Sequence, residues 1–295
     1  MMRMNAPRHR WWPAYLAQAA HNLDLTAVFG DPNHGFIWAI GDGGTILRLR
    51  EESWAQERHP LQGALTCGLY APGRALVIGG KAAITSHIEA RGPGPWTETA
   101  LPPLRGTVSA AARGADGHLL LGTKAGKLYK VEGSTSWEIP LPGPADAVRA
   151  IVDQEILVVV MSDRTIYRDL TGEWHDVQLP PGRGADTPHA RFNAAWGDGV
   201  GTIWMAGDHG LIASWRHGEW WKISMARGAR DNFAVHGSSP GDVWVVGDSG
   251  VISKWNGTDW KPSTSRLDVP LYGVWASPDR VVAVGADQSI LEFRR

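Results

Sequence analysis

GDVWVVGDSGVISKWNGTDW, residues 241–260, reads as two short strands and the start of a third, joined by tight turns. Residues 242–247 are an apolar run rich in Val and Trp, which suits a strand covered on both faces. Gly247-Asp248-Ser249-Gly250 clusters residues that tolerate tight turns and positive φ. Residues 251–255 then alternate, Asn256-Gly257 punctuates them, and Trp260 opens the next strand. Just upstream, residues 232–236 supply a fourth. Four short antiparallel strands in about forty residues describe one blade of a propeller.

Other stretches copy this unit. The residue that ends the second strand recurs as Gly41, Gly79, Gly122, Met161, Gly207, Gly247 and Gly285, at spacings of 38, 43, 39, 46, 40 and 38. No copy shows helical periodicity, which excludes helical solenoids, and a period near forty favours a propeller over a β-helix. The expectation is an all-β, seven-bladed β-propeller of four-stranded antiparallel blades in a single domain. Its blades are assigned to residues 25–62, 63–104, 105–145, 146–182, 183–228, 229–268 and 269–295.

First strands begin at Leu25, Leu65, Val108, Val148, Phe192, Phe233 and Leu271, an apolar column. A mostly polar column follows (Thr26, Thr66, Ser109, Arg149, Asn193, Ala234, Tyr272), then a mostly small one (Ala27, Cys67, Ala110, Ala150, Ala194, Val235, Gly273). Small residues fit the crowded hub where blades converge. Last strands carry Trp54, Trp96, Trp137, Trp174, Trp220 and Trp260, and the seventh copy has none. From Trp12 to Leu25 is 13 residues, against 11 from Trp54 to Leu65, so the N-terminus has the spacing of a missing last strand. Residues 1–24 are therefore read as a closing strand and linker, with residues 9–16 pairing with residues 289–293 to protect an otherwise open edge.

Composition sets outer bounds. The 295 residues are 43% apolar and 20% charged, enough for a large core, and the 16 Trp against five Phe and five Tyr require a repeated Trp position. A formal charge of -1 argues against nucleic acid or an anionic membrane as a whole-surface partner. Cys67 is the single cysteine, so no intramolecular disulfide forms, and its place in the small column marks it as inert packing. No apolar run reaches the roughly 18 residues that span a bilayer. Arg3, Arg8 and Arg10 precede WWPAYLAQAA, and Ala17-Gln18-Ala19 fits a cleavage pattern, but Pro13 breaks the short apolar segment. Cytoplasmic placement is the expectation, with export the alternative, and a closed ring needs no partner strand, so a monomer is expected.

The turn units GDGGTIL (41–47), GDHGLI (207–212) and GDSGVI (247–252) lack the signals of WD40 and kelch blades. They resemble the degenerate Asp-box propellers of the photosystem II assembly-factor type, from about residue 25 onward and most clearly in blades 1, 5 and 6. An Asp-box reads Ser/Thr-x-Asp-x-Gly-x-x-Trp. Here Ser253, Gly257 and Trp260 keep their places while Trp255 stands at the Asp position, and blade 3 keeps Glu132-Gly133 and Trp137 at different spacing. The resemblance implies the propeller fold and a non-enzymatic assembly role; the photosynthetic role is not carried over.

Functional residues are sought on the face that carries the turns between second and third strands and the blade-to-blade connections. Its turns bring Asp42, Lys81, Lys124, Asp163, Asp208, His209, Asp248 and Asp287. Asp before Gly is ordinary turn chemistry, so no metal site is assigned. The connection from Trp174 to Phe192, HDVQLPPGRGADTPHAR between its ends, is seven residues longer than usual and carries Arg183, Asp186, His189 and Arg191. The next, SMARGARDN, carries Arg227, Arg230 and Asp231. With Arg149 and Tyr272 from the polar column, and His209, these arginines and His189 form a candidate partner-binding patch that seeks carboxylate or phosphate. The plainer reading is solvation of loops in a chain whose 29 basic residues include 22 Arg.

No HExxH, GxxxxGK[ST] or GxSxG motif occurs, and the eleven His lack zinc-ligand spacing. Neither catalytic residues nor a cofactor is assigned. Trp38, Trp204 and Trp244 recur in second strands and read as core rather than sugar platforms. The expected function is a protein-binding scaffold or assembly factor. A glycan-binding propeller and a degenerate sialidase-like glycosidase are the alternatives; the latter needs an acidic partner for Tyr272 that the polar column does not supply.

Overall fold

Second strands are buried along their whole length in blades 1, 4, 5 and 6, as their unbroken apolar runs require. The computed structural model describes residues 11–15, 23–32, 35–89, 92–179, 191–216, 219–224, 230–265 and 267–295. They form seven antiparallel sheets whose strands follow chain order from the hub outward. Blade 1 comprises Leu25–Gly30, Ile37–Gly41, Thr45–Arg50 and Ser53–Gln56; blade 2, Cys67–Ala71, Arg74–Gly79, Ala82–Glu89 and Thr97–Thr99, with the short Gly92–Pro93 beside its third strand. Blade 3 comprises Val108–Arg113, Leu119–Thr123, Leu128–Glu132 and Thr135–Ile139; blade 4, Val148–Asp153, Leu157–Met161, Thr165–Arg168 and Trp174–Asp176. Blade 5 comprises Phe192–Gly197, Thr202–Gly207, Ile212–Arg216 and Glu219–Ser224; blade 6, Asn232–Ser239, Asp242–Gly247, Val251–Trp255 and Trp260–Thr264.

Blade 7 comprises Leu271–Ala276, Arg280–Gly285 and Ile290–Arg294, and its outer strand is Trp12–Tyr15 from the other end of the chain. Trp12 lies opposite Glu292, Pro13 opposite Leu291 and Tyr15 opposite Ile290. This is the closure that the Trp spacing implies. Trp11 is buried edge-on against Trp244 at 5.4 Å, and its Nε1 donates to Ser263 Oγ at 3.0 Å. First strands touch their neighbours in order, and that of blade 7 touches that of blade 1, so the sheets form a closed ring. The chain is a seven-bladed β-propeller.

The core consists of seven clusters, each shared by two adjacent blades. Trp38, Trp204 and Trp244 are almost wholly buried in these clusters, each contributing about 1.5–3 kcal/mol of apolar burial. Cys67 lies in the cluster between blades 2 and 3, where burial pushes its thiol up to about 12.

A close backbone approach sets the repeat of the turns. In blades 1, 5, 6 and 7, a Cβ on Gly41, Gly207, Gly247 or Gly285 would stand 2.0 Å from the carbonyl preceding the first strand. The next residue's N–H donates to that same carbonyl, Asp42 to Asp24 and Asp248 to Asp231 for example, at 2.9 and 2.8 Å. These bonds correct two register expectations. In blade 6 it is Asn232, not Phe233, that pairs with the turn glycine. Asn232 replaces an apolar residue because its buried Nδ2 donates to the Leu211 carbonyl, which removes the desolvation cost. Phe233 and Ala234 therefore take the polar and small columns. In blade 3 the strand ends at Thr123, opposite Val108, and Gly122 is glycine because a Cβ would meet the Val148 side chain at 2.4 Å.

Candidate functional site: the channel mouth

The corrected polar column reads Thr26, Thr66, Ser109, Arg149, Asn193, Phe233 and Tyr272. Four of its members tie blades together. Thr26 Oγ1 donates to the Leu65 carbonyl at 3.0 Å, Thr66 Oγ1 to Val108 at 2.9 Å, Ser109 Oγ to Val148 at 2.7 Å, and Asn193 Nδ2 to Asn232 at 3.0 Å. Val108, Val148 and Asn232 open the first strand of the next blade, and Leu65 stands two residues before that of blade 2. Arg149, Phe233 and Tyr272 are too long or too apolar to make this bond, so their side chains are left for the channel.

A cavity of about 730 Å³ opens beside them, lined by Lys124, Arg149, Arg191, Asn193, Asp208 and Phe233 among others. Arg149 donates to Asn193 Oδ1 and to Ser162 Oγ, both neutral, so its charge is uncompensated by these partners. The carboxylates of the cavity are already engaged: Asp208 accepts from Asn193 Nδ2 at 2.8 Å, and Asp231 accepts from the His209 N–H at 2.8 Å. Blades 6, 7 and 1 bring the opposite charge to the mouth. Asp24 Oδ1 accepts from the Asp287 N–H, and Asp42 Oδ2 from the Asp24 N–H, which holds three carboxylates side by side. Desolvation raises the Tyr272 hydroxyl's pKa, and Asp24, Asp248, Asp287 and Asp42 push it the same way. Phe233 and Tyr272 meet at 5.8 Å, their rings tilted by 36°, between the two charged sectors.

Among the expected site residues, the ring brings Arg149 and Arg191 to one cavity and Tyr272 to the other side of Phe233. His209 is exposed on the turn after the second strand of blade 5. Arg230 is exposed and bonded to Ser249 Oγ at 2.6 Å and Asp248 at 3.5 Å, so it offsets part of the acidic sector. Arg183, His189 and Arg227, with Asp186, lie outside the described residues. Sequence reasoning missed Phe233, Asp24 and the role of Asp231. A usable signal existed: Phe192 and Asn232 each stand fifteen residues before their turn glycine.

Two other features bear on chemistry. Asp169, Glu173 and His175 bring ligand atoms within 4.8 Å of one another. Asp169 Oδ1, however, already accepts from Thr171 and Glu173 N–H groups, and its Oδ2 meets His175 Nε2 at 2.7 Å. The Thr171 and His175 bonds hold its carboxyl well below the usual range, as expected of a capped hairpin turn. Asn256 does the same in blade 6, accepting from Thr258 and Asp259. Trp255, at the place where an Asp-box would have Asp, is buried core. Second, the exposed large aromatics among the described residues are Trp137 and Trp221, which do not form the repeated pockets expected of a glycan-binding propeller.

No family model matches the chain, and no curated protein sequence matches it. Solved structures do. A virginiamycin B lyase from Staphylococcus aureus superposes with a TM-score of 0.76 at 12% identity, covering 97% of this chain and 99% of that one. YCF48 bound to D1 peptide gives 0.72 at 16% identity, covering 99% and 96%, and the WD40 propeller domain of Doa1 gives 0.73 at 12%, covering 97% of each chain. The neighbours mix an enzyme with non-enzymatic propellers, and at these identities what they share with this chain is the fold.

Proposed function

We propose that this propeller is a non-enzymatic scaffold that binds a partner protein at the channel mouth. The observation that carries this reading is the break in the inter-blade tie at Arg149, Phe233 and Tyr272. Three of seven equivalent positions give up a structural hydrogen bond and present a cation and two aromatic rings to one opening. Loops on a rigid ring are a common place for such sites. YCF48 with its D1 peptide is a propeller of this shape that holds a protein segment, which supports the reading by analogy.

A glycosidase reading draws less support. Carboxylates do surround Tyr272, but Phe233 lies between it and Arg149, and burial together with those carboxylates raises its pKa, which opposes a phenolate nucleophile.

The test is affinity capture from the native host with the intact chain and with an Arg149→Glu/Arg191→Glu variant, bound proteins being identified by mass spectrometry. A near-stoichiometric protein lost from the variant is the expected result. Equal recovery on both baits would remove the mouth as the binding surface, and no enriched protein on either would remove the scaffold reading.

A further inference from the structure

The charges of the mouth are unbalanced by sector: cations outnumber carboxylates on one side, and carboxylates outnumber cations on the other. Blades 3 to 5 bring Lys124, Arg149 and Arg191 to one cavity. Among the described residues none of the three forms an ion pair; the carboxylates in the same cavity, Asp208 and Asp231, accept from Asn193 and a backbone N–H, so three cations there face two anions. Across the ring, Asp24, Asp42 and Asp287 are locked together by backbone donors, and the turn carrying Asp248 packs on the first strand of blade 7. Among the described residues Arg230 is the cation paired with that acidic sector, and it is exposed. The chain's net charge of -1 hides this separation.

We propose that the mouth selects a dipolar peptide segment, its acidic side chain among Lys124, Arg149 and Arg191 and its basic side chain over Phe233 and Tyr272, facing Asp24, Asp248 and Asp287. The inference rests on the scaffold reading and adds the chemistry of the partner. Attraction and repulsion act together here. A purely acidic segment long enough to cross the mouth places its far charges against carboxylates, and a purely basic one places them against three cations. The paired rings offer a cation a π-face beside the carboxylates, a contact that is attractive within about 6 Å of a ring centroid. A cavity of about 730 Å³ is roomy enough for several side chains at once.

The experiment uses fluorescein-labelled peptides of equal length: one with acidic residues at one end and basic residues at the other, its sequence reversal, one all-acidic and one all-basic. Binding is read by anisotropy at low ionic strength, where such contacts are least screened. The better dipolar peptide should bind at least about tenfold tighter than either single-sign peptide. An Asp248→Asn/Asp287→Asn variant keeps side-chain acceptors and a residue type that tolerates positive φ; it should lose about tenfold for the dipolar peptide and gain affinity for the all-acidic one. Lys124→Gln/Arg149→Gln should gain for the all-basic one. Matching circular dichroism and melting curves establish that the variants are folded.

An all-acidic peptide binding the intact protein as well as the dipolar one would overturn the inference while leaving the scaffold reading intact. So would unchanged dipolar affinity in the Asp variant. No peptide binding at all also overturns it, and the scaffold reading is then decided separately by the affinity capture.

Discussion

Trp11 and Trp96, each just before the outer strand of blades 7 and 2, and Trp54 on that of blade 1 are buried, whereas Trp137 on the outer strand of blade 3 is 50% exposed. One repeated residue serves two ends. On the seam side each indole N–H donates to a side chain of the blade before: Trp11 to Ser263, Trp54 to Glu292 at 2.9 Å, Trp96 to Glu57 at 2.7 Å. Glu292 is buried and Glu57 partly so, and both also gather arginines, Arg280 and Arg294 on Glu292, Arg48 and Arg50 on Glu57. Blade 7 is assembled from both parts of the chain and has no covalent link between its outer and third strands. The ring is tied most firmly next to the place where the backbone does not hold it.

Breaking the seam should therefore have the largest effect. Trp11→Ala removes the Trp244 and Phe293 contacts as well as the Ser263 bond, and should cost about 3–5 kcal/mol in urea unfolding. A chain begun at residue 20 lacks the whole strand and should lose cooperative unfolding. Next comes Glu57→Ala, which strands two indole N–H groups and the partly buried Arg48 guanidinium, and should cost about 3 kcal/mol. Glu57→Gln keeps an acceptor for Trp96 and should cost less. Equal costs for the two substitutions would show that packing, not the carboxylate, holds blades 1 and 2.

The seam was legible in the sequence because it is written in spacing: a Trp missing from the last copy and present at the right distance near the start. The period was legible for the same reason, since in four blades a Cβ on the turn residue would stand 2.0 Å from a carbonyl, which keeps glycine at that place. Blade 6's register was not, because Asn232 is polar and yet buried, and the hydrogen bond to Leu211 that permits this is invisible to a hydropathy pattern. That slip concealed Phe233 in the channel. The mouth's two charged sectors were also hidden, since they depend on which blades face each other and on which carboxylates are already bonded. Arg149 and Tyr272 were found as interruptions of a column; Asp24 interrupts nothing.

Acid should loosen the seam side by a smaller amount. His236 lies between Trp196 and Trp275, bridging blades 5, 6 and 7, and its Nδ1 accepts from the Ala276 N–H at 3.1 Å. Burial lowers its pKa from 6.5 to about 4. Between those values the unfolded chain takes up a proton that the folded chain refuses, so stability is full above about pH 6.5 and falls as the pH drops toward 4. The loss attributable to this residue should be about 2–3 kcal/mol. The difference in urea midpoint between the intact chain and His236→Gln, followed over that range, isolates it from the carboxylates; a constant difference would remove His236 as the source.

The smallest effect is expected on the loose side, and it tests the comparison most directly. Trp137 pairs across the strand with Lys130, leaves half its surface in water, and has no indole acceptor within the described residues. Trp137→Ala should change stability by no more than about 0.5 kcal/mol in the same urea titration, because the substitution opens no cavity and strands no partner. Blades 3 and 4 are joined without it, by the Ser109 tie to Val148 and by the cluster around Leu120, Ile151 and Val159. A cost near that of Trp11→Ala would mean that outer tryptophans hold every junction equally, and the seam would then have no stronger fastening than any other part of the ring.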